Sequence, residues 1–177
     1  GQAIFEGMKA FRQNDESISL FRPKENISRL NQSAKRLCMP SFPEEKFLHA
    51  LKTLIDLDSH WVPQGKGCAL YLRPLMYATE EHVGVRPSET YRLLIMTSPV
   101  GAYFRRPVKL KIERELTRAA PGGIGAAKAA GNYASALYAT VRATEAGFDQ
   151  VLWTDSATHS FVEECSTMNV AFVIDDV

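Results

Sequence analysis

Gly122–Tyr133 reads GGIGAAKAAGNY, one lysine, Lys128, set among glycines and alanines ahead of a helical stretch. Small neighbours let a bulky planar group approach the backbone closely. A lysine drawn out of water has a lowered pKa, and its neutral amine attacks carbonyl carbon to form a Schiff base. Most lysines in Gly-rich loops are nonetheless solvated and inert, so the loop alone does not decide the chemistry. It does exclude a triphosphate cradle. The Walker pattern needs GxxxxGK followed by Ser or Thr, whereas Lys128 stands between Ala127 and Ala129, and no GxGxxG occurs.

Outward from this loop the chain alternates helices and strands. On the C-terminal side a helix is expected over 133–146, stopped by Gly147, then short strands over 150–154, 161–164 and 169–174. On the N-terminal side Val108, Leu110 and Ile112 alternate with charged residues, a half-buried strand. Residues 99–107 are rich in Pro, Gly and Arg without periodicity and read as a linker. Before it lie dense apolar strands over 68–78 and 91–97. Earlier still come two helices, one capped by Asn26 or Ser28 and ended by Pro40, the other capped by Ser41. A hairpin turning at Asn14-Asp15 opens the chain. The fold class is therefore mixed α/β in two parts: an N-terminal α/β domain over 1–98, a linker over 99–107, and the beginning of a larger C-terminal domain over 108–177. The absence of an initiator Met and the strand running out at the end lead us to expect a segment of a longer chain.

Composition narrows the function. Lys and Arg number 21 against 20 Asp and Glu, a net charge of +1 that argues against a nucleic-acid or membrane-surface protein. No apolar run reaches the ~20 residues of a membrane span. Cys38, Cys68 and Cys165 are odd in number and lack CxxC spacing, so they read as reduced thiols of a cytoplasmic protein. His49, His60, His82 and His159 are scattered, with no metal-ligand or triad spacing.

Three further constellations carry possible chemistry. In FVEECSTMN, adjacent Glu163 and Glu164 on a strand point to opposite faces. An inward carboxylate beside Thr167 and Asn169 needs a cationic or hydrogen-bonding partner, such as a protonated pyridine nitrogen. Two exposed acids at a strand end are the plainer reading. In YLRP, Tyr71 and Arg73 share a strand face, where the arginine either grips a carboxylate or packs on the aromatic ring. Arg29, near the start of the first helix, is either a phosphate ligand or solvated surface.

Taken together and in order, GQAIFEGMKAF, LFRP, SRLNQSAKRLCMPSF, LYLRP, SPVGAYF, GGIGAAKAAGNY, QVLW and EECSTMN resemble the fold-type IV pyridoxal-phosphate enzymes, and most closely the branched-chain amino acid aminotransferases. The resemblance implies that Lys128 is the lysine that bonds pyridoxal 5'-phosphate and shuttles the substrate proton, and that Glu164 rather than Glu163 pairs with the pyridine nitrogen. It assigns the cofactor phosphate to Arg29, the ring oxygen to Tyr133, and backbone amides facing phosphate and substrate carboxylate to the turn at Thr167. Phe5, Tyr71 and Tyr103 line the apolar pocket, Arg73 takes the distal carboxylate of glutamate or 2-oxoglutarate, and Val83 and Val85 reach into a neighbouring subunit, which implies a homodimer. The implied reaction is ping-pong transamination of leucine, isoleucine and valine with 2-oxoglutarate. A D-amino acid transaminase, an aminodeoxychorismate lyase and a non-catalytic relative share enough of these residues to stay open.

Overall fold

The computed structural model describes residues 1–104, 106–166 and 168–176. They fall into two compact units, Gly1–Arg105 with Ala126–Gly131, and Arg106–Gly125 with Asn132–Val177.

The first unit is built on β4 (Ala69–Ala78), a ten-residue strand whose alternate residues divide between two faces. Leu70, Leu72 and Met76 are buried in the core, while Tyr71, Arg73, Leu75 and Tyr77 lie half-buried on the opposite face. β5 (Tyr91–Val100) pairs antiparallel along its whole length. The other edge is shared by β1 (Ala3–Phe5) and β2 (Met8–Arg12), also antiparallel, and β2 turns back through Asn14-Asp15 into β3 (Ile18–Leu20). Pro74 sits mid-strand without an N–H to donate. Its carbonyl accepts the Glu6 N–H at 2.9 Å, at the junction where β1 gives way to β2, so the missing donor falls where the ladder is already interrupted.

Two helices cover the Leu70/Leu72/Met76 face. α1 (Pro23–Arg36) buries Ile27, Leu30 and Ala34, and α2 (Glu44–Leu57) buries Phe47, Leu51 and Ile55, each set at helical spacing. The helix ends differ from the sequence expectation. α1 begins at Pro23 behind a left-handed Arg22, because proline's fixed φ suits the first helical position. Neither Asn26 nor Ser28 caps it, since both lie inside the helix. It closes at a left-handed Cys38 (φ +55°), where the Met39 N–H reaches back to the Ala34 carbonyl, before Pro40 is met. α2 starts after an extended Pro43 rather than at a Ser41 cap. β5 continues through Pro99 and Val100, so two residues of the expected linker are strand.

In the second unit β6 (Leu110–Glu113) pairs parallel to β7 (Gln150–Thr154), which pairs antiparallel to β8 (Val162–Cys165). A long helix, α3 (Ala130–Glu145), connects the parallel pair, as parallel strands require a crossover. Its small side chains Ala136, Ala139 and Ala143 let it lie close to Val151 and Trp153, with Leu116 and Phe148 completing the cluster. The helix starts three residues before the expected Tyr133. It stops at Gly147, whose φ of +82° suits glycine, and the Phe148 N–H bonds the Ala143 carbonyl there. The strand expected over 169–174 does not form; an isolated bridge between Cys165 and Met168 lies just before it.

Candidate functional site

Residues 126–131, the core of the Gly/Ala-rich loop, group with the first unit. The loop is threaded onto the sheet edge by its backbone. The Lys128 carbonyl accepts the Phe5 N–H at 3.1 Å, the Lys128 N–H donates to Ser33 Oγ at 2.9 Å, and Ala129 bridges Ile4. Ala127 and Ala129 are buried while Lys128 between them is half-buried, so the small residues allow the close approach and the lysine is the side chain left to project. Its Nζ lies 5.1 Å from the centre of the Phe5 ring.

Phe5 is the point of convergence. The Arg73 guanidinium carbon lies 4.5 Å from the centre of the same ring and 5.3 Å from that of Tyr71. Arg73 donates to the Tyr71 hydroxyl from Nη2 at 2.8 Å and from Nε at 3.3 Å. Tyr71 in turn rests on Gly7: a Cβ at that position would stand 2.1 Å from the tyrosine oxygen, so only glycine admits the ring there. The packing reading of YLRP is the one realised among these residues: the arginine lies on aromatic rings and bonds the tyrosine hydroxyl on the half-buried sheet face. An amine and a guanidinium around an aromatic surface suit an anionic, partly apolar ligand.

Arg29 projects from α1 onto Glu6. Glu6 is fully buried and was not singled out from the sequence, where a lone acid after an apolar strand gives no signal. Arg29 Nε donates to Oε1 at 2.6 Å and Nη2 to Oε2 at 2.8 Å, a bidentate fork. Asn26 Nδ2 and the Gly7 N–H complete the donors to Oε2 at 2.9 and 3.3 Å. Tyr103 is exposed with its ring edge-on to Phe104 at 4.7 Å. Val83 and Val85 flank Gly84 in the loop between β4 and β5, and both side chains are entirely exposed.

The second unit carries Glu164 and Tyr133. Of the adjacent acids, Glu163 is exposed and Glu164 half-buried, and the cationic partner that burial demands is Arg118, whose Nη2 lies 2.6 Å from Glu164 Oε2. Arg118 was likewise missed, because it stands 46 residues away in a loop with no pattern of its own. Its Nε is buried without a hydrogen-bond partner among the described residues. Burial, reinforced by the Glu164 carboxylate, pushes the Cys165 thiol above its ordinary range. Tyr133, in the first turn of α3, is partly exposed. Thr167 lies outside the described residues. Among the described residues no group of His, Cys, Asp and Glu could hold a metal ion, and no helix is long and apolar enough to cross a membrane.

Comparison with known proteins matches residues 3–177 to the model of amino-transferase class IV. The branched-chain-amino-acid aminotransferase 2 of Bacillus subtilis (strain 168) is 49% identical over 98% of this chain, and the branched-chain-amino-acid aminotransferase of Mycolicibacterium smegmatis 51% identical over 98%. The crystal structure of the T.th. branched-chain amino acid aminotransferase with pyridoxamine 5'-phosphate superimposes with a TM-score of 0.78 at 27% identity, over 93% of this chain and 53% of that one. The chain spans about half the length of the curated relatives it matches, 49% and 48% of these two. Its mixed α/β architecture is that of these solved aminotransferases, and the chain belongs to the class IV amino-transferase family.

Proposed function

We propose that this chain contributes to a pyridoxal 5'-phosphate-dependent transaminase that moves the amino group of leucine, isoleucine or valine to 2-oxoglutarate. The observation that carries this reading is the seating of Lys128. A primary amine is held over the Phe5 ring by a backbone locked at its own N–H and carbonyl, in a member of the class IV amino-transferase family. The donor set fits the cofactor class: an amine for an aldehyde, a guanidinium for a phosphate, and a carboxylate for a ring nitrogen. Lys128, Arg29 and Glu164 would hold those three parts, with Tyr133 at the ring oxygen and Thr167 near the phosphate. When bound, the group supplies an electron sink for the substrate α-carbon.

The remaining work falls to the chain. Within each half-reaction Lys128 Nζ would take the proton from the substrate α-carbon and pass it to the cofactor carbon. Phe5, Tyr71 and Tyr103 provide apolar surface for a branched side chain. Arg73, oriented by the Tyr71 hydroxyl, meets the second carboxylate of 2-oxoglutarate or glutamate, so one pocket takes both substrate types. Val83 and Val85, wholly exposed on their loop, enter the pocket of a second copy in a homodimer. We take the small domain to span 1–98 and to be joined through 99–107 to the first part of a larger domain over 108–177, and we place the enzyme in the cytoplasm.

The test is a coupled assay with leucine and 2-oxoglutarate. Glutamate and the branched 2-oxo acid should form in equal amounts, and Lys128→Ala should abolish turnover while leaving the unfolding midpoint within a few degrees. Undiminished turnover by that variant overturns the assignment.

A further inference from the structure

The dipeptide Phe5-Glu6 seats two cations at once. Phe5 carries Lys128 Nζ on its ring at 5.1 Å, and the next residue, Glu6, takes Arg29 in a bidentate fork at 2.6 and 2.8 Å. We infer that Glu6 is a positioning residue for phosphate recognition: it fixes the Arg29 guanidinium in place before an anion arrives. The inference rests on the reading of Arg29 as the phosphate ligand and adds the element that aims it.

Two observations and one general argument support this. The Glu6 carboxylate is fully buried and receives four donors, two from Arg29, one from Asn26 and one from the Gly7 N–H. It is therefore anchored to the β1–β2 junction and to α1 together, since Asn26 and Arg29 are one helical turn apart. The Arg29 side chain is by contrast 52% exposed, so one edge of its guanidinium is clamped by a buried acid while the group still reaches the surface. Finally, an ion pair with a buried carboxylate is a poor stabiliser, because desolvating that carboxylate offsets much of the attraction. Direction is what such a pair does supply. A free arginine side chain loses rotamer entropy when it binds, and a guanidinium already held in plane loses less of it on meeting a phosphate.

The test compares two probes on the cofactor-stripped protein. Pyridoxal 5'-phosphate and pyridoxal differ by the phosphate alone, and their affinities are read by equilibrium titration of tryptophan fluorescence. Glu6→Gln should weaken pyridoxal 5'-phosphate binding by about tenfold to a hundredfold, the usual cost of losing a group that orients a ligand-binding residue, while leaving pyridoxal within about twofold. Glu6→Asp, which keeps the charge and shortens the reach, should shift the ratio in the same direction and serves if Glu6→Gln does not fold. Equal losses for the two probes would show Glu6 to be a structural staple and overturn the inference, as would an unchanged ratio in both variants. Arg29→Gln separates the two levels: if that variant keeps the full preference for the phosphorylated probe, the reading of Arg29 itself fails. If it loses the preference and the Glu6 variants do not, the role of Glu6 alone fails.

Discussion

Replacing Gly7 by alanine places a methyl group where Tyr71 already stands. The new Cβ would meet the tyrosine oxygen at 2.1 Å and Cζ at 2.9 Å, closer than real Cβ contacts come. The ring must swing away, and its hydroxyl leaves Arg73 Nη2 and Nε, now 2.8 and 3.3 Å distant. Two effects compete for the larger share of the damage. Tyr71 and Arg73 are only half-buried, so water replaces much of the lost hydrogen bonding. Overpacking then dominates, at about 1–3 kcal/mol. For a unit of this size that lowers the thermal midpoint by roughly 5–20 °C. The assay is thermal unfolding of the wild type, Gly7→Ala, Tyr71→Ala and the double variant. Removing the ring first should remove most of the penalty of the methyl group, a coupling of about 1 kcal/mol or more. A Gly7→Ala protein within about 0.5 kcal/mol of wild type, or an equal penalty in both backgrounds, refutes the reasoning.

Other consequences follow from the same structure. Arg73→Met should raise KM for 2-oxoglutarate about tenfold or more with little change for leucine, since the lost partner is a charged donor worth about 1.5–3 kcal/mol; steady-state kinetics with each substrate varied checks this. Leu72→Ala, at a fully buried site in the middle of the first unit's core, should cost about 2–5 kcal/mol in denaturant unfolding. Burial alone would raise the Glu113 pKa, but the N–H groups of Glu115 and Leu116, Lys111 and the Arg114 N–H together hold it below the ordinary value. A carboxylate depressed in the folded state stabilises above its unfolded pKa of about 4.3 and loses that contribution as pH falls through the folded value. Glu113→Gln should accordingly flatten the stability profile below about pH 4, measured by acid titration of the circular dichroism signal.

How much was legible in the sequence depended on the range of the signal. Helices α1 and α2 and strands β4 and β5 announced themselves through local periodicity, as did the stop at Gly147. Helix starts were less legible, because Asn26, Ser28 and Ser41 are good caps by type, whereas Pro23 and Pro43 set the starts by backbone geometry. The expected strand over 169–174 has apolar residues, but a strand exists only with a partner, and residues 169–174 pair with none among the described residues. Among the candidate residues, Lys128, Arg29, Tyr71, Arg73 and Glu164 stood out through motifs. Glu6 and Arg118 did not, because their meaning lies in contacts with residues 23 and 46 positions away. A buried carboxylate is visible only once its burial is.

The proposed role of Lys128 is that of covalent anchor in a pyridoxal 5'-phosphate enzyme. Borohydride reduction in the presence of the cofactor, followed by peptide mass analysis, tests it directly. A phosphopyridoxyl adduct is expected on the peptide containing Lys128, lost in Lys128→Ala. An adduct at any other lysine, or none at all in a folded protein supplied with the cofactor, contradicts it.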